Sequence, residues 1–355
     1  MKQELVQKAA EEFIGSANEI KIEQLGNGLI NHTYKIANAL KNKLVLQAIN
    51  KNIFSKPEDI ISNYKEIFEY LEAQHAINIP APIKNKNEKL LFIDEEKNYW
   101  RATNFVDGSY SPMNATNEDA AFTVAKSFAG FTKSLAGLNI NKLHVIIPDF
   151  HNLAFRYKQF EDAVANAPVK RLLKSTHIIA QLRQRKALVD FYNSTINSPD
   201  YPERVMHHDC KISNILFDTA TDKVICPVDL DTTMPGKYFS DLGDMIRTMT
   251  CSVDENSKAW EDIAIRPSFY KSILTGYLEG AGDIFSDKEK KNIHYSGLIL
   301  TFMQSLRFVA DFLNGDIYYK TSYPEQNLNR ALNQLILLEK LEQFLQTEFS
   351  FAPYN

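Results

Sequence analysis

An acid, an amide and a second acid recur at short intervals in the stretch HHDCKISNILFDTATDKVICPVDLD. Asp209 lies two residues after His207, Asn214 lies five residues after Asp209, and Asp229 ends a later apolar run. Transfer of a phosphoryl group requires a carboxylate that orients the attacking hydroxyl and oxygen ligands that hold magnesium against nucleotide phosphates. Kinase catalytic loops space these groups as His-x-Asp-x-x-x-x-Asn, with a later Asp as second metal ligand. The spacing therefore predicts phosphoryl transfer from ATP, with Asp209 as catalytic base and Asn214 and Asp229 as ligands of Mg2+.

A β-hairpin is predicted to bring the two metal ligands together. Asn214–Asp218 (NILFD) and Lys223–Asp229 (KVICPVD) are apolar runs joined by a short polar turn. If the turn ends pair, Asn214 faces Pro227, and Asp229 lies two residues further along on the same sheet face, with Cα atoms roughly 8 Å apart. Pro227 cannot donate to a ladder, so an edge position or a bulge is expected there. An ordinary hairpin with solvated ends is the alternative.

Three neighbouring residues have less specific roles. His207 is predicted to brace the loop through hydrogen bonds, and His208 to face solvent. Asp231 follows Asp229 by two residues, so it is predicted to lie on the same strand face. A role near the metal and a turn-capping role fit Asp231 equally well.

Composition narrows the class of protein. The chain has 355 residues, of which 44% are hydrophobic and 24% charged, an ordinary globular balance with room for two lobes. The net charge of -4 argues against a nucleic-acid partner, because no basic surplus is present to neutralise phosphates. No secretory leader or long apolar run is evident, so neither a membrane span nor a signal peptide is predicted. Three cysteines without paired spacing indicate reduced thiols and a cytoplasmic protein: Cys210, Cys226 and Cys251. The protein is expected to be a monomer or a homodimer.

Hydrophobic periodicity predicts a β-rich first part and a mainly helical second part. In the first part, helices are predicted at 1–18 and 57–74 and strands at 19–25, 32–38, 43–49, 89–93 and 99–106. The sequence DGSYSP at 107–112 predicts a break and hinge. We therefore expect a nucleotide-binding lobe at 1–106 and a catalytic and acceptor-binding lobe at 107–355. The clearest helices of the second lobe are predicted at 120–138, 153–165, 178–192, 292–313 and 327–347.

With these motifs the chain resembles the aminoglycoside phosphotransferase and choline kinase superfamily, and within it the N-acetylhexosamine 1-kinases. The strings that carry the resemblance are LGNGLINHTYKI, LVLQAINKNIFSKPEDIISNY, HHDCKISNILFD, VDLDTTMPGKYFSDLGDMIR and LRFVADFLNGDIYYK. They extend over nearly the whole chain. The resemblance implies an α+β, bilobal protein-kinase-like fold, with a small N-terminal β-sheet lobe and a larger, mainly helical C-terminal lobe.

The resemblance also implies a nucleotide site in the first lobe. A Gly-Asn-Gly segment between two predicted strands matches the position of a phosphate-covering loop, although it is also an ordinary hairpin turn. The resemblance implies that the backbone of residues 104–106, at the end of the strand predicted at 99–106, meets adenine. The residues implied for the nucleotide are Gly26, Asn27, Gly28, Asn31, Gln47, Asn104 and Val106.

One position departs from the protein-kinase pattern. Kinases carry a Lys on the third strand that pairs with nucleotide phosphates and with a helical Glu. Here Gln47 stands there, as in the N-acetylhexosamine kinases that the chain resembles, and an amide can donate a hydrogen bond but brings no charge. Lys51 and Lys56 are nearby candidates for the missing cation, and Glu66 for the helical acid. Each is also explained as an exposed surface residue.

The acceptor site is predicted near residue 307. Arg307 lies in a strongly apolar helix, where an unpaired charge is costly. An ion pair with Asp311, four residues later, is one explanation. The resemblance implies another, a guanidinium at the sugar site, with Asp316, Tyr318 and Tyr319 completing the wall and Asp209 at the acceptor hydroxyl.

Two acids in the segment SDLGD are expected to be structural. In the superfamily that the chain resembles, the first of them, here Asp241, steadies the catalytic loop through hydrogen bonds. Asp241 is also a candidate N-cap for a helix at 242–249. Asp244 is expected to have a structural role as well.

The sequence thus predicts an ATP- and Mg2+-dependent kinase that phosphorylates the anomeric hydroxyl of an N-acetylhexosamine. A kinase for another alcohol acceptor, of the aminoglycoside, choline or homoserine type, is the first alternative. A nucleotide-binding pseudokinase is the second, supported only by the missing third-strand Lys. The expected partners are a small sugar or amino-sugar acceptor, with no nucleic acid and no membrane.

Overall fold

The computed structural model describes residues 1–15, 20–25 and 30–353. The chain is a mixed α+β protein with a small antiparallel sheet part and a larger helical part, so the predicted fold class is confirmed. Its contacts form two compact units. The sheet unit comprises residues 1–111, 137–148 and 215–235, and the helical unit comprises residues 112–136, 149–214 and 236–355. The predicted boundary between 106 and 107 stays a prediction.

Strands dominate the first third of the chain and helices the rest. The first nine elements are α1 (Gln3–Ile14), β1 (Ile20–Gln24), β2 (His32–Asn38), β3 (Lys43–Ile49), α2 (Pro57–Ala73), β4 (Pro82–Ile83), β5 (Phe92–Ile93), β6 (Tyr99–Asn104) and β7 (Ser109–Tyr110). Next come α3 (Glu118–Ser134), α4 (Leu153–Asn166), α5 (Val169–Arg183), α6 (Lys186–Thr195), β8 (Arg204–Met206), β9 (Ile215–Asp218), β10 (Val224–Pro227) and β11 (Met234–Gly236). The last are α7 (Phe239–Thr250), α8 (Pro267–Ala281), α9 (Asp287–Lys291), α10 (Tyr295–Leu313) and α11 (Gln326–Phe349).

The main sheet of the sheet unit has the order β1-β2-β3-β6-β4, with β5 paired to β6. Strands β2 and β3 have the bounds that apolar alternation predicts, because side chains of alternate residues enter the core. That core is formed by α1 and one sheet face, with Ile36, Leu46 and Trp100 fully buried. In β3 and β6, Gln47 lies directly opposite Arg101. The sheet therefore brings together two polar side chains far apart in the sequence.

The predicted hairpin forms, but its register and its end differ from the expectation. Strands β9 and β10 pair antiparallel, with β10 at the edge and a bulge between Val224 and Cys226. The extra residue places Pro227 opposite Ile215 rather than Asn214. The edge position and the bulge agree with the absence of an N–H on proline.

Other predicted bounds also need correction. The predicted break at 107–112 contains β7, which pairs with β9, and the strand predicted at 99–106 ends at Asn104. The strand predicted at 89–93 is reduced to two residues, and the first helix ends at Ile14. The single helix predicted at 178–192 is wrong, because α5 ends at Arg183 and α6 begins at Lys186.

The helical unit is built around α10, which packs against α4, α7 and α11. Among the described residues, α10 is the one helix long and apolar enough to cross a membrane, and 89% of its apolar window is buried inside the protein. Its hydrophobicity is thus explained by its place at the centre of this core. Close packing occurs at Gly243 of α7, where a Cβ atom would lie 2.3 Å from the Ser296 carbonyl oxygen. The glycine of SDLGD is therefore required for helix packing.

Candidate active site

The helical unit contains the predicted catalytic loop, between β8 and the start of β9. The Asp209 side chain is about one quarter exposed, and one of its oxygens, Oδ1, lies 2.7 Å from Lys211 Nζ. The other, Oδ2, accepts a hydrogen bond from Asn214 Nδ2 at 3.0 Å, and the same amide donates to the Asp209 carbonyl at 2.9 Å. The structure therefore brings Asp209 and Asn214 together. Burial lowers the pKa of Lys211, but the charges of Asp209 and Asp244 outweigh it and raise the pKa overall.

The orientation of Asn214 suits a metal ligand. Its Nδ2 donates twice to Asp209, and its Oδ1 takes no part in those two bonds. Amide and carboxylate oxygens are the ligands that Mg2+ prefers, and in nucleotide sites phosphate and water supply the others. No cluster of three or more His, Cys, Asp or Glu ligands occurs in the described part of the chain. A metal held by few protein oxygens and by nucleotide phosphates fits this donor set.

Asp241 holds the catalytic loop through backbone hydrogen bonds. Its Oδ2 accepts from the His207 N–H at 2.9 Å and its Oδ1 from the His208 N–H at 2.8 Å. The side chain is fully buried. The role that the resemblance implies is confirmed, whereas the N-cap role is wrong, because α7 begins at Phe239 and Asp241 lies inside it.

Asp244 supports the next residue of the loop. Its Oδ2 accepts from the Cys210 N–H at 3.1 Å, and its Oδ1 accepts from Arg247 at 3.0 Å. Arg247 also donates to Glu255 at 2.9 Å, so the buried acid lies within a charge network. Burial raises the pKa of Asp244, and Arg247 counteracts that shift. The two acids of SDLGD thus hold the backbone amides of His207, His208 and Cys210.

Both histidines of the loop are buried. His207 lies edge-on to Phe128, with ring centroids 4.9 Å apart. His208 was expected at the surface, which is wrong: it is 5% exposed, has a left-handed backbone at φ 66°, and its Nδ1 lies 2.6 Å from Ser240 Oγ. His151 contacts the same Ser240 hydroxyl.

In the sheet unit, Asp229 lies in a turn and not on a strand. Strand β10 ends at Pro227, and Asp229 has a left-handed conformation at φ 61° and ψ 54°. The prediction that Asp229 and Asp231 share a strand face is therefore wrong, because Asp231 lies in a short 3-10 helix. A left-handed non-glycine residue costs backbone energy and is most often Asn or Asp. Metal binding by Asp229 stays a prediction.

Asp231 is the centre of a buried network. It is 3% exposed and forms an ion pair with Arg101. It also accepts a hydrogen bond from Asn31 Nδ2 at 2.6 Å, and Asn31 Oδ1 accepts from the Asn50 N–H at 3.0 Å. Gln47 joins the network by accepting from Arg101 Nε at 3.0 Å. Of the two roles considered for Asp231, a place beside the predicted metal ligand fits this burial better than a surface turn cap.

The surface residues considered as substitutes for the third-strand Lys are occupied elsewhere or exposed. Lys51 Nζ donates to the Lys97 carbonyl at 2.5 Å, and Lys56 is exposed. Glu66 lies 3.4 Å from Lys142, so it is not the partner of the third-strand residue. The buried cation near Gln47 is Arg101.

The remaining predicted nucleotide residues are only partly described. Gly26, Asn27 and Gly28 lie outside the described residues. The Asn104 N–H donates to the Ala81 carbonyl at 2.9 Å, and the Val106 carbonyl accepts from Ser109 Oγ at 2.7 Å. Their contact with adenine stays a prediction.

A cavity of about 320 Å3 in the helical unit contains the predicted acceptor residues Arg307 and Tyr318. Helices α4 and α10 and the segment after α10 form its walls. The lining residues are Arg156, Gln159, Asp162, Ala163, Asn166, Arg307, Ala310, Asp311, Asn314, Tyr318 and Tyr319. Asp316 is absent from this lining, because its carboxylate lies 2.7 Å from Arg171 and accepts from Asn327 at 3.0 Å.

The predicted ion pair between Arg307 and Asp311 does not form. Asp311 instead accepts from the backbone N–H groups of Ile317, Tyr318 and Tyr319 at 2.8–3.0 Å. These bonds fix the segment that carries both tyrosines. Arg307 donates to Gln304 Oε1 at 3.2 Å, and its guanidinium lies 5.9 Å and 5.5 Å from the ring centroids of Tyr318 and Tyr319.

The cavity has a second arginine that sequence analysis missed. Arg156 donates to Gln159 Oε1 at 2.8 Å and to the Phe150 carbonyl at 3.2 Å, both uncharged acceptors. Burial lowers the pKa of Arg156 to about 10, and the charge of Arg307 adds to that effect. Neither arginine forms an ion pair within the described part of the chain. The wall thus presents two guanidinium groups that form no direct ion pair, and Asp162 and Asp311 line the same cavity.

Stacked rings connect this cavity to the catalytic loop. The Arg307 guanidinium lies 5.6 Å from the Phe150 ring centroid, and Phe150 stacks on His151 with centroids 4.3 Å apart. His151 and His208 both contact Ser240. His208 precedes Asp209, so the acceptor cavity and the predicted base belong to one packed region.

Three residues of the site were not predicted. Lys211 could have been found from the sequence, since it lies two residues after Asp209 in the motif itself. Arg101 lies between the core residues Trp100 and Ala102 of β6, so it is on the opposite sheet face, and no spacing in the sequence names its partner. Arg156 looks like an ordinary helical surface residue, so only the fold reveals it.

Solved structures with the same fold were found over nearly the whole length. An aminopropanol kinase associated with a microcompartment has a TM-score of 0.67 at 14% identity, covering 98% of each chain. Amicoumacin kinase in complex with AMP-PNP, Ca2+ and Ami has a TM-score of 0.65 at 13% identity, covering 95% of this chain and 93% of that one. An ethanolamine kinase of Plasmodium vivax has a TM-score of 0.52 at 14% identity, covering 90% and 83%. At these identities the likeness establishes the fold alone.

The sequence itself matches one family model. The match is to the phosphotransferase enzyme family called APH and extends over residues 21–283, about three quarters of the chain. It includes the catalytic loop, the hairpin and SDLGD. The chain therefore belongs to the phosphotransferase enzyme family.

Proposed function

We propose that this protein is an ATP- and Mg2+-dependent kinase that phosphorylates the anomeric hydroxyl of an N-acetylhexosamine, GlcNAc or GalNAc, to the sugar 1-phosphate. Family membership and the contact of Asp209 with Asn214 support the transfer of a phosphoryl group. Kinases of similar fold were solved with AMP-PNP and Ca2+ or with ADP, which supports a nucleotide and a divalent metal. The acceptor is inferred from the cavity.

The two arginine donors of the acceptor cavity are the observation that carries the choice of sugar. Arg156 and Arg307 face it without an acidic partner in the described residues, while the acids of the lining are occupied. Asp311 accepts three backbone N–H groups, and Asp162 pairs with Lys158 at 2.5 Å. Guanidinium groups donate hydrogen bonds and have no acceptor capacity. A neutral acceptor rich in hydroxyl and carbonyl oxygens suits these donors, whereas a protonated amine has no lone pair to accept their hydrogen bonds.

The geometry of the catalytic loop supports the following roles for the chain's own groups. Asp209 accepts the proton of the attacking hydroxyl and fixes its direction of approach. Asn214 directs its second donor bond to that carboxylate and so limits its rotation. Asn214 and Asp229 are the proposed protein ligands of Mg2+, which when bound offsets charge on the phosphate oxygens. Tyr318 is proposed to contact the sugar beside Arg307.

The alternatives differ in the acceptor that they require. Aminopropanol and ethanolamine kinases act on acceptors with an amine, which is protonated at neutral pH and cannot accept hydrogen bonds from the two arginines. The pseudokinase alternative rests on Gln47. It is weakened because Asp209, Asn214 and Asp229 are all present and a buried arginine lies next to Gln47.

An acceptor panel tests the proposal. ADP release is measured with N-acetylglucosamine, N-acetylgalactosamine, kanamycin, choline and ethanolamine at saturating Mg·ATP. Turnover is expected with one or both N-acetylhexosamines, and phosphorus NMR should show coupling of the product phosphate to the anomeric proton. Turnover confined to the amines would refute the sugar assignment. No turnover on any acceptor would favour the pseudokinase.

An arginine variant tests the cavity itself. Arg307→Gln removes a charged donor, worth about 1.5–3 kcal/mol in a hydrogen bond, so the KM of the sugar should rise roughly tenfold or more. The KM of ATP should stay unchanged. Arg183→Gln is the matched control, since Arg183 pairs with Glu161 outside the cavity. Equal sugar KM values for both variants would contradict the assignment.

A further inference from the structure

The sheet unit carries a buried cation one strand away from the position where protein kinases carry their lysine. Gln47 on β3 and Arg101 on β6 are directly opposite in the ladder. Directly opposed residues place their side chains on the same sheet face, about 5 Å apart at Cβ. The charge missing from the third strand is thus present on its neighbour.

Arg101 is nearly enclosed by protein groups. It is 4% exposed, and its guanidinium lies 5.9 Å from the ring centroid of Tyr64 on α2. Nη2 forms the ion pair with Asp231, and Nε donates to Gln47 Oε1. The amide of Gln47 in turn donates to Thr33 Oγ1 at 3.2 Å. Gln47 is therefore oriented as an acceptor for Arg101.

A buried ion pair of this kind is costly unless it is useful. Removing two charges from water carries a large free-energy cost for each ion, and a well-packed apolar pair is often as stable. The cost is higher here because Nη1 of Arg101 is buried without a hydrogen-bond partner among the described residues. Fold stability alone does not account for Arg101.

The pair is connected to two residues at which a nucleotide is expected. Asp231 lies two residues after Asp229, whose left-handed backbone requires support from its surroundings. Asp231 also accepts from Asn31, the last residue of the predicted phosphate-loop segment. A change at Arg101 therefore acts on both segments through one carboxylate.

We propose that Arg101, paired with Asp231 and oriented by Gln47, is the positioning residue that replaces the lysine–glutamate pair of protein kinases. It holds Asp229 and Asn31 in place for the metal-bound nucleotide. This inference rests on the nucleotide-binding part of the proposed function and is independent of the identity of the acceptor. It also explains why a chain with Gln47 retains the other kinase residues.

The test measures nucleotide binding without any acceptor. Affinity for Mg·AMP-PNP is determined by calorimetry, at several Mg2+ concentrations, for the wild type, Arg101→Gln and Arg101→Lys. Arg101→Gln should bind about tenfold more weakly and require more Mg2+, because a charged hydrogen bond is lost. Arg101→Lys keeps the positive charge but lacks the planar guanidinium group, so it should show a smaller loss of nucleotide affinity. If the KM of the sugar is unchanged in Arg101→Lys, the loss of nucleotide affinity reflects positioning of the nucleotide and not general damage to the fold.

A relocated charge provides the decisive comparison. In the double variant Gln47→Lys with Arg101→Gln, the ammonium stands on β3 opposite the new amide, within reach of Asp231. Nucleotide affinity should recover relative to Arg101→Gln. The proposal is overturned if folded Arg101→Gln binds Mg·AMP-PNP within twofold of the wild type. It is also overturned if Arg101→Lys and the relocated lysine both bind as weakly as a variant without the charge. Failure of N-acetylhexosamine turnover would leave these binding results intact and refute only the acceptor assignment.

Discussion

Each unit has one short loop with a predicted site residue, Asp209 in the helical unit and Asp229 in the sheet unit. A buried carboxylate is associated with each loop, and the two carboxylates are stabilised differently. In the helical unit, Asp241 accepts backbone N–H groups from the loop that contains Asp209. In the sheet unit, Asp231 is held by the side chains of Arg101 and Asn31. Each loop also contains a left-handed non-glycine residue.

The difference has a consequence for how each loop tolerates change. Backbone donors stay in place whatever side chains surround them, so the carboxylate of Asp241 depends mainly on local chain geometry. The carboxylate of Asp231 depends on a strand far away in the sequence and on one charge. Substitutions in the sheet-unit network should therefore be coupled to one another, whereas substitutions at Asp241 should act directly on the catalytic loop.

The largest effect is expected at the catalytic carboxylate. Asp209→Asn removes the proton acceptor, and kcat should fall by about 10²–10⁴-fold, the usual contribution of a general base. Nucleotide affinity should stay near the wild-type value, because the amide still fits beside Asn214. Initial rates with calorimetric nucleotide binding separate the two quantities.

The matched control is Asp218→Asn at the other end of β9. Asp218 accepts from the Ala220 and Thr221 N–H groups of the hairpin turn, so its loss should leave kcat near normal. Retained turnover in Asp209→Asn would refute the role of Asp209, and with it the contrast between a catalytic and a supporting acid.

The next effect concerns the charge of the sheet-unit network. Asp231→Asn leaves the guanidinium of Arg101 buried without a counter-charge, and removal of one partner of a buried pair costs about 3–5 kcal/mol. The free energy of unfolding, measured with urea, should fall by that order. Adding Arg101→Gln to Asp231→Asn should restore part of the lost free energy of unfolding, since both charges of the pair are then absent. Additive effects of the two substitutions would show that the pair is not coupled.

The sequence predicts the catalytic loop far better than this network. The spacing of Asp209 and Asn214 is local, and a 3-10 turn at Ile212–Asn214 brings them together within six residues. Strands β2 and β3 follow from alternation, which needs no knowledge of the fold. A bulge near Pro227 is also expected, but the register beyond it and the left-handed turn at Asp229 depend on tertiary packing and differ from the expected ladder.

The acceptor cavity shows the same limit. Arg307 can be singled out because a charge in an apolar helix is unusual, but its partners cannot be read from spacing. The i,i+4 rule favours Asp311, whose oxygens are instead occupied by backbone N–H groups six to eight residues ahead. Arg156 comes from a different helix. Only the packing of α4 against α10 shows that the two charges meet.

A smaller loss of stability is expected at Asp241. Asp241→Asn replaces one of two accepting oxygens with an amide group that cannot accept, which leaves one buried N–H of the loop without a partner. Such a donor costs about 1–3 kcal/mol. The urea midpoint should fall less than in Asp231→Asn, while kcat should fall more, because the displaced loop contains Asp209. The opposite order of the two stabilities would contradict the comparison.

The smallest effect is expected in thiol reactivity, for which each loop has its own reporter. Cys210 lies in the catalytic loop and Cys226 on β10, and both are buried. Burial raises the pKa of Cys210, with a further contribution from Asp241, and raises that of Cys226 to about 12. Between pH 7 and 9 both thiols stay protonated in the folded protein, so raising the pH should not speed direct alkylation.

Labelling of either thiol therefore reports local opening, which can occur in parts of a protein that stays folded. Peptide-level mass spectrometry of iodoacetamide labelling should show faster reaction of Cys210 in Asp241→Asn and of Cys226 in Asp231→Asn. Cys251, which lies in neither loop, serves as the internal control. If the two carboxylates support separate loops, each substitution speeds one thiol and spares the other. Equal acceleration of both thiols in either variant would instead mean that the two loops open together. Asp241, which accepts backbone N–H groups, and Asp231, which pairs with a charged side chain, would then not differ in which loop they stabilise.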